Sequence, residues 1–110
     1  MTTKIIRLSG NQKKAIEKTC AQVLTKWGSV KVWLFGSRAK ANAKGGDIDL
    51  LVSLSRSPAN VVELKIELIQ AIRNSLGEQK IDVVIEHPGA AKTAFYELAK
   101  QEGVLLWQSR

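Results

Sequence analysis

The run Asp47-Ile48-Asp49-Leu50-Leu51-Val52-Ser53-Leu54 is the most constraining stretch of this chain. Successive side chains of an extended strand point to opposite faces, so Ile48, Leu50, Val52 and Leu54 share a core face while Asp47 and Asp49 project together from the other. Upstream, residues 32–35 are apolar and end at Gly36-Ser37, where a small residue lets the backbone approach another group closely. Residues 32–52 therefore read as strand, turn, strand. Two carboxylates on adjacent same-face positions, roughly 6 to 7 Å apart at Cα, suit divalent cations held about 3.5 to 4 Å apart. That geometry belongs to two-metal phosphoryl or nucleotidyl transfer.

With 110 residues, 45% of them hydrophobic, the chain is expected to fold without staples as one domain spanning residues 1–110. A single cysteine excludes an internal disulfide. No charge-flanked apolar leader opens the chain, and no run approaches the ~20 apolar residues of a membrane span. The expectation is a soluble cytoplasmic protein with no membrane partner. The net charge of +7 is unevenly spread: residues 1–44 carry ten Lys or Arg against one acid, Glu17, for a net +9, and the remainder nets −2. A basic half steers anions such as nucleotides, nucleic acid or an acidic protein face; a merely solvated helix face has the same composition.

The other elements follow from periodicity and caps. After a short extended lead through Ile5, Ile6 and Leu8, Ser9 with Gln12 three residues on is a capping-box pattern. Ile16, Cys20, Val23 and Trp27 then recur at helical spacing, and Gly28 ends the helix. Cys20 belongs to this apolar stripe and reads as core. Residues 30–35 form an interior strand, with Val30, Val32 and Leu34 facing one way and Lys31, Trp33 and Phe35 the other. Residues 38–44 suit one or two helical turns whose first N–H groups, with the Ser37 hydroxyl, would bind phosphate; Gly45-Gly46 turns the chain back.

Asn60 caps a helix running to Leu76, with Val62, Ile66, Ile69, Ile72 and Leu76 on one stripe and Val61, Leu64 and Leu68 widening it. So broad an apolar face fits contact with a partner or burial on two sides. Residues 80–86 form a strand with Ile81, Val83 and Ile85 on one face and Asp82, Val84 and Glu86 on the other; aspartate is depleted in strands, so Asp82 invites a functional explanation. His87-Pro88-Gly89 is a turn, with His87 an ordinary turn residue. A helix over 90–102 ends at Gly103, and 104–107 closes the chain as a strand. The order is that of a small α/β (α+β) domain with helices packed on a mixed sheet.

Gly36-Ser37, nine intervening residues, Asp47-Ile48-Asp49-Leu50 and then Asp82 within Ile81-Asp82-Val83-Val84 resemble the DNA polymerase β-type nucleotidyltransferase superfamily. The strings Phe35-Gly36-Ser37-Arg38-Ala39, Asp47-Ile48-Asp49-Leu50-Leu51-Val52 and Glu102-Gly103-Val104-Leu105-Leu106 are similar to its minimal nucleotidyltransferase (MNT) antitoxin branch. Gly46 stands where many members carry serine. The resemblance implies a polymerase β-like core in which Asp47, Asp49 and Asp82 are catalytic and bind two Mg²⁺ ions. It further implies that Asp82 helps activate the acceptor hydroxyl, and that Gly36 and Ser37, with Arg38 as a further contact, hold the triphosphate of ATP.

Stand-alone members of that branch act as antitoxins beside HEPN-domain toxins. The expectation is therefore an Mg-dependent protein adenylyltransferase that moves AMP from ATP to a tyrosine of a HEPN toxin. Two alternatives stand beside it. One is nucleotidyl transfer to RNA or to a small-molecule hydroxyl, with nucleic acid a less favoured partner. The other is a non-catalytic antitoxin that acts by covering its toxin.

Overall fold

The computed structural model describes residues 8–36, 47–77 and 79–109. The expected lead through Ile5 and Ile6, the phosphate-binding segment with Ser37 and Arg38, and the Gly45-Gly46 turn lie outside the described residues.

The first element among the described residues is helix α1 (Gly10–Leu24), capped as its sequence dictates. Gln12 N–H donates to the Ser9 hydroxyl at 3.1 Å, and Ser9 N–H donates to the Gln12 side-chain oxygen at 2.9 Å. A 3-10 turn (Thr25–Trp27) leads to strand β1 (Val30–Phe35), followed by strand β2 (Ile48–Leu54) and helix α2 (Val61–Leu76). Asn60 caps α2 by accepting Glu63 N–H at 3.0 Å. Strand β3 (Ile81–Glu86), helix α3 (Ala94–Glu102) and strand β4 (Val104–Gln108) complete the order. The last helix starts four residues later than its composition suggests, because Ala90 N–H closes the His87 turn at 2.9 Å and the N-cap Thr93 is itself extended.

The strands form one mixed sheet in the order β3-β2-β1-β4. β1 is antiparallel to both neighbours, whereas β2 and β3 run parallel, joined by α2. This is the expected α+β architecture, with β1 and β2 interior.

Alternation sorts the two faces. On one, Val30, Val32, Leu34, Ile48, Leu50, Val52, Ile81, Val83 and Ile85 pack with Ile16, Cys20 and Leu24 of α1 and Leu64, Leu68 and Ile72 of α2. Burial pushes the Cys20 thiol up to about 12, with the Glu17 charge adding to the effect, so Cys20 is an unreactive packing residue. The buried stripe of α2 is centred on Leu64, Leu68 and Ile72 rather than on Val62 and Ile66, which are exposed. α3 lies on the other face of the sheet, where Phe35 meets Phe95 and Lys100 meets both Glu86 and Trp33. It covers this face only in part. Gly103 lets the end of α3 close onto β1, since a side chain there would run into the Ala99 and Leu34 carbonyls.

Candidate active site

Pairing brings two of the three sequence-identified aspartates side by side. Asp49 and Asp82 are register partners across the parallel β2/β3 pair, so their side chains leave the same face of the sheet. Asp47 lies just before β2, two residues from Asp49, and its backbone neighbour is tied to β3 by Ile48 N–H donating to the Lys80 carbonyl at 3.0 Å. Asp82 is exposed, while Asp47 and Asp49 are half-buried. Across β1, Phe35 is the register partner of Asp49.

The electrostatics follow from this crowding. Burial first, then the charges of Asp82 and Asp47, hold the Asp49 carboxyl above its usual range. Lys80 Nζ stands 3.9 Å from the Asp47 carboxylate, but it is 82% exposed, so solvent screens most of that attraction. Among the described residues, no three His, Cys, Asp or Glu side chains are gathered into a metal-holding cluster. The donor set is nevertheless the one that Mg²⁺-like ions take: hard carboxylate oxygens on adjacent strands, open to water and phosphate. A bound cation would also relieve the like-charge repulsion that raises Asp49.

Gly36 closes the site from the end of β1. Its φ of +72° is a left-handed conformation in which a side chain is strained. A Cβ added there would collide with the Asp49 carboxylate and lie 3.3 Å from its Cγ. Glycine at this position thus keeps both the turn and the space over Asp49. Of the expected nucleotide contacts, Gly36 is beside the aspartates, while Ser37 and Arg38 fall outside the described residues.

The opposite end of the same strand pair is built differently. Glu86 accepts from the Ser53 hydroxyl at 2.7 Å and from Lys100 Nζ at 2.8 Å. Burial alone would raise its carboxyl, but these two hydrogen bonds and the charges of Lys100 and Lys92 hold it below the usual range. Sequence reading did not single out this cluster, because Lys100 reaches it from α3 across the sheet. Phe95, Leu98 and Ala99 are legible in the sequence as apolar residues of the last helix; what the sequence did not show is that they and Glu102, at spacings of three, four and seven residues, lie on one side of α3 beside Gly36. His87 is, as expected, a turn residue: its Nδ1 is 3.1 Å from the Ser57 hydroxyl, which also accepts Gly89 N–H.

Three comparisons bear on this geometry. The family described as polymerase beta, nucleotidyltransferase matches residues 16–110. Among solved structures, the chain is similar to one described as a mutant of the toxin–antitoxin MntA–HpeT, with 21% identity over 89% of this chain and 74% of that one and a TM-score of 0.60. No curated protein matches the sequence. At that identity the structural likeness speaks for the fold.

Proposed function

The chain belongs to the polymerase beta nucleotidyltransferase family, and from that premise we propose that it transfers AMP from ATP to a tyrosine of a HEPN-domain toxin, as the antitoxin of the pair. The observation that carries the transfer reaction is the in-register pair Asp49 and Asp82, with Asp47 two residues away and Gly36 against Asp49. Support for the antitoxin role is the similarity to a member of a toxin–antitoxin complex. That structure is of a form with two aspartates, two residues apart, replaced by glutamate, the spacing that Asp47 and Asp49 have here.

In this reading Asp47, Asp49 and Asp82 would hold two Mg²⁺ ions. The chemistry such ions supply when bound is neutralisation of charge on the attacking and leaving oxygens. Gly36, with Ser37 and Arg38, grips the triphosphate and orients its α-phosphorus. Asp82, the exposed member of the pair, receives the incoming phenol and draws off its proton. The phenolate oxygen bonds to the α-phosphorus as the bond to the bridging α,β-oxygen breaks, and pyrophosphate leaves. Asp82 is exposed, so a bulky protein acceptor can reach it. Exposed Val62 and Ile66 on α2 provide further apolar surface for such a partner.

The test is transfer from ATP carrying a radiolabelled α-phosphate, with Mg²⁺, in a lysate of the source cell. The expected result is label on a small protein, retained through denaturing electrophoresis and released as tyrosine-linked AMP on digestion. Label on RNA or on a small molecule moves the acceptor to another class. No transfer, in a lysate shown to contain the partner, leaves an antitoxin that works by coverage alone.

A further inference from the structure

Phe35 and Phe95 meet edge to face, with ring centroids 5.5 Å apart and planes at 81°. With Gly36, Leu98, Ala99 and Glu102 they line a cavity of about 130 Å³ between the end of β1 and α3. Phe95 and Leu98 are 42% and 52% exposed, so its α3 side is open to solvent. Gly36 belongs to this cavity and at the same time abuts the Asp49 carboxylate. The cavity and the aspartates are therefore one residue's width apart.

Resting on the nucleotidyl-transfer reading, we propose that this cavity takes the base of the nucleotide substrate, and that Glu102 selects a base bearing an exocyclic amino group. Each part of a nucleotide fits it differently. Phosphates are repelled by the Glu102 carboxylate and gain nothing from the apolar walls. A ribose has no aromatic face to set against the two rings, and any hydroxyl beyond the reach of Glu102 would be left unpaired against Phe, Leu and Ala. The base is planar and aromatic, and in the corner of an edge-to-face pair it meets one ring by its face and the other by its edge.

The polar edge of that base then needs a partner. An ionised Glu102 is an acceptor only, and it matches an amino N–H. The aromatic ring of a protein acceptor is the other planar candidate. It must aim its hydroxyl at the α-phosphate, however, and its remaining edge carries no donor for Glu102. Seated here, the base is one sugar away from phosphates held over Gly36 and the aspartates.

The test is calorimetric binding with Mg²⁺ of ATP, of purine riboside triphosphate, which lacks the 6-amino group, and of inorganic tripolyphosphate. The proteins are wild type, Phe95→Ala and Glu102→Ala, each checked for an unchanged fold by denaturation. Phe95→Ala should weaken ATP about tenfold and leave tripolyphosphate unaffected. Wild type should prefer ATP over purine riboside triphosphate by about tenfold, and Glu102→Ala should erase that preference.

Equal binding of both nucleotides by wild type, with ATP affinity intact in both variants, overturns the pocket assignment while nucleotide binding stands. Intact ATP affinity with label transfer to a protein lost in Phe95→Ala reassigns the cavity to the acceptor. If neither ATP nor tripolyphosphate binds wild type, the transfer reading itself falls, and the pocket with it.

Discussion

The two ends of the β2/β3 pair are made from the same strands, in the same register and on the same face, yet they are finished in opposite ways. At one end Ser53 stands opposite Glu86, and Lys100 comes across from α3 to complete the cluster. At the other, Asp49 stands opposite Asp82 with Asp47 close by, and burial and like charge raise Asp49. Glu86 is held below its usual range; Asp49 is held above it. One end holds α3 to the sheet, and the other, among the described residues, gathers three carboxylates with only the exposed Lys80 near one of them, an anionic surface that favours a cationic ligand.

The largest expected effect lies beneath both ends. Leu50 is fully buried on the opposite face, and Leu50→Ala should cost about 2–5 kcal/mol, measured by urea denaturation. Both ends should fail together; an effect confined to one would break the view that they share a single core.

Gly36→Ala sharpens the comparison at the aspartate end. Its positive φ makes alanine cost about 1–2 kcal/mol, and the new methyl would crowd the Asp49 carboxylate. Nucleotide binding should fall far more than the denaturation midpoint.

At the other end, Lys100→Met should cost about 1 kcal/mol at neutral pH, because both members of the Lys100–Glu86 pair are shielded but not fully buried. Folded Glu86 holds its proton less tightly than the unfolded chain does. Its contribution is therefore complete above the ordinary carboxylate range and is lost as pH falls through the depressed value. Denaturation at neutral pH and in acid should show the wild type's advantage over Lys100→Met shrinking as pH drops. An advantage independent of pH would mean that the lysine acts through its packing on Trp33 rather than through charge.

How far the sequence disclosed this contrast depends on the range of each signal. The capping box at Ser9, the alternation in β1, β2 and β3, and the aspartate faces are local patterns, and each was readable from neighbouring residues. What depends on pairing was not. Nothing local sets Asp49 beside Asp82, or brings Lys100 to Glu86. Leu51 illustrates the limit: it shares the face of Asp49 and is nevertheless fully buried, because that part of the face lies toward α3. α2 misled for a related reason, since its apolar residues cover more than one side and hydropathy alone did not say that Leu64 and Leu68, rather than Val62 and Ile66, meet the sheet. The onset of α3 was hidden by the alanines after the His87 turn, which suit a helix but here lie outside it, Ala90 closing the turn onto His87.

The most direct test of the central claim, that the aspartate end serves chemistry and not folding, is a paired measurement on Asp49→Asn. α-Phosphate transfer to the partner and denaturant stability at neutral pH would be followed on the same preparation. Removing a charge that its neighbours disfavour should leave stability unchanged or raise it by less than about 1 kcal/mol, while transfer falls at least a hundredfold. Undiminished transfer, or a clear loss of stability, would contradict the account.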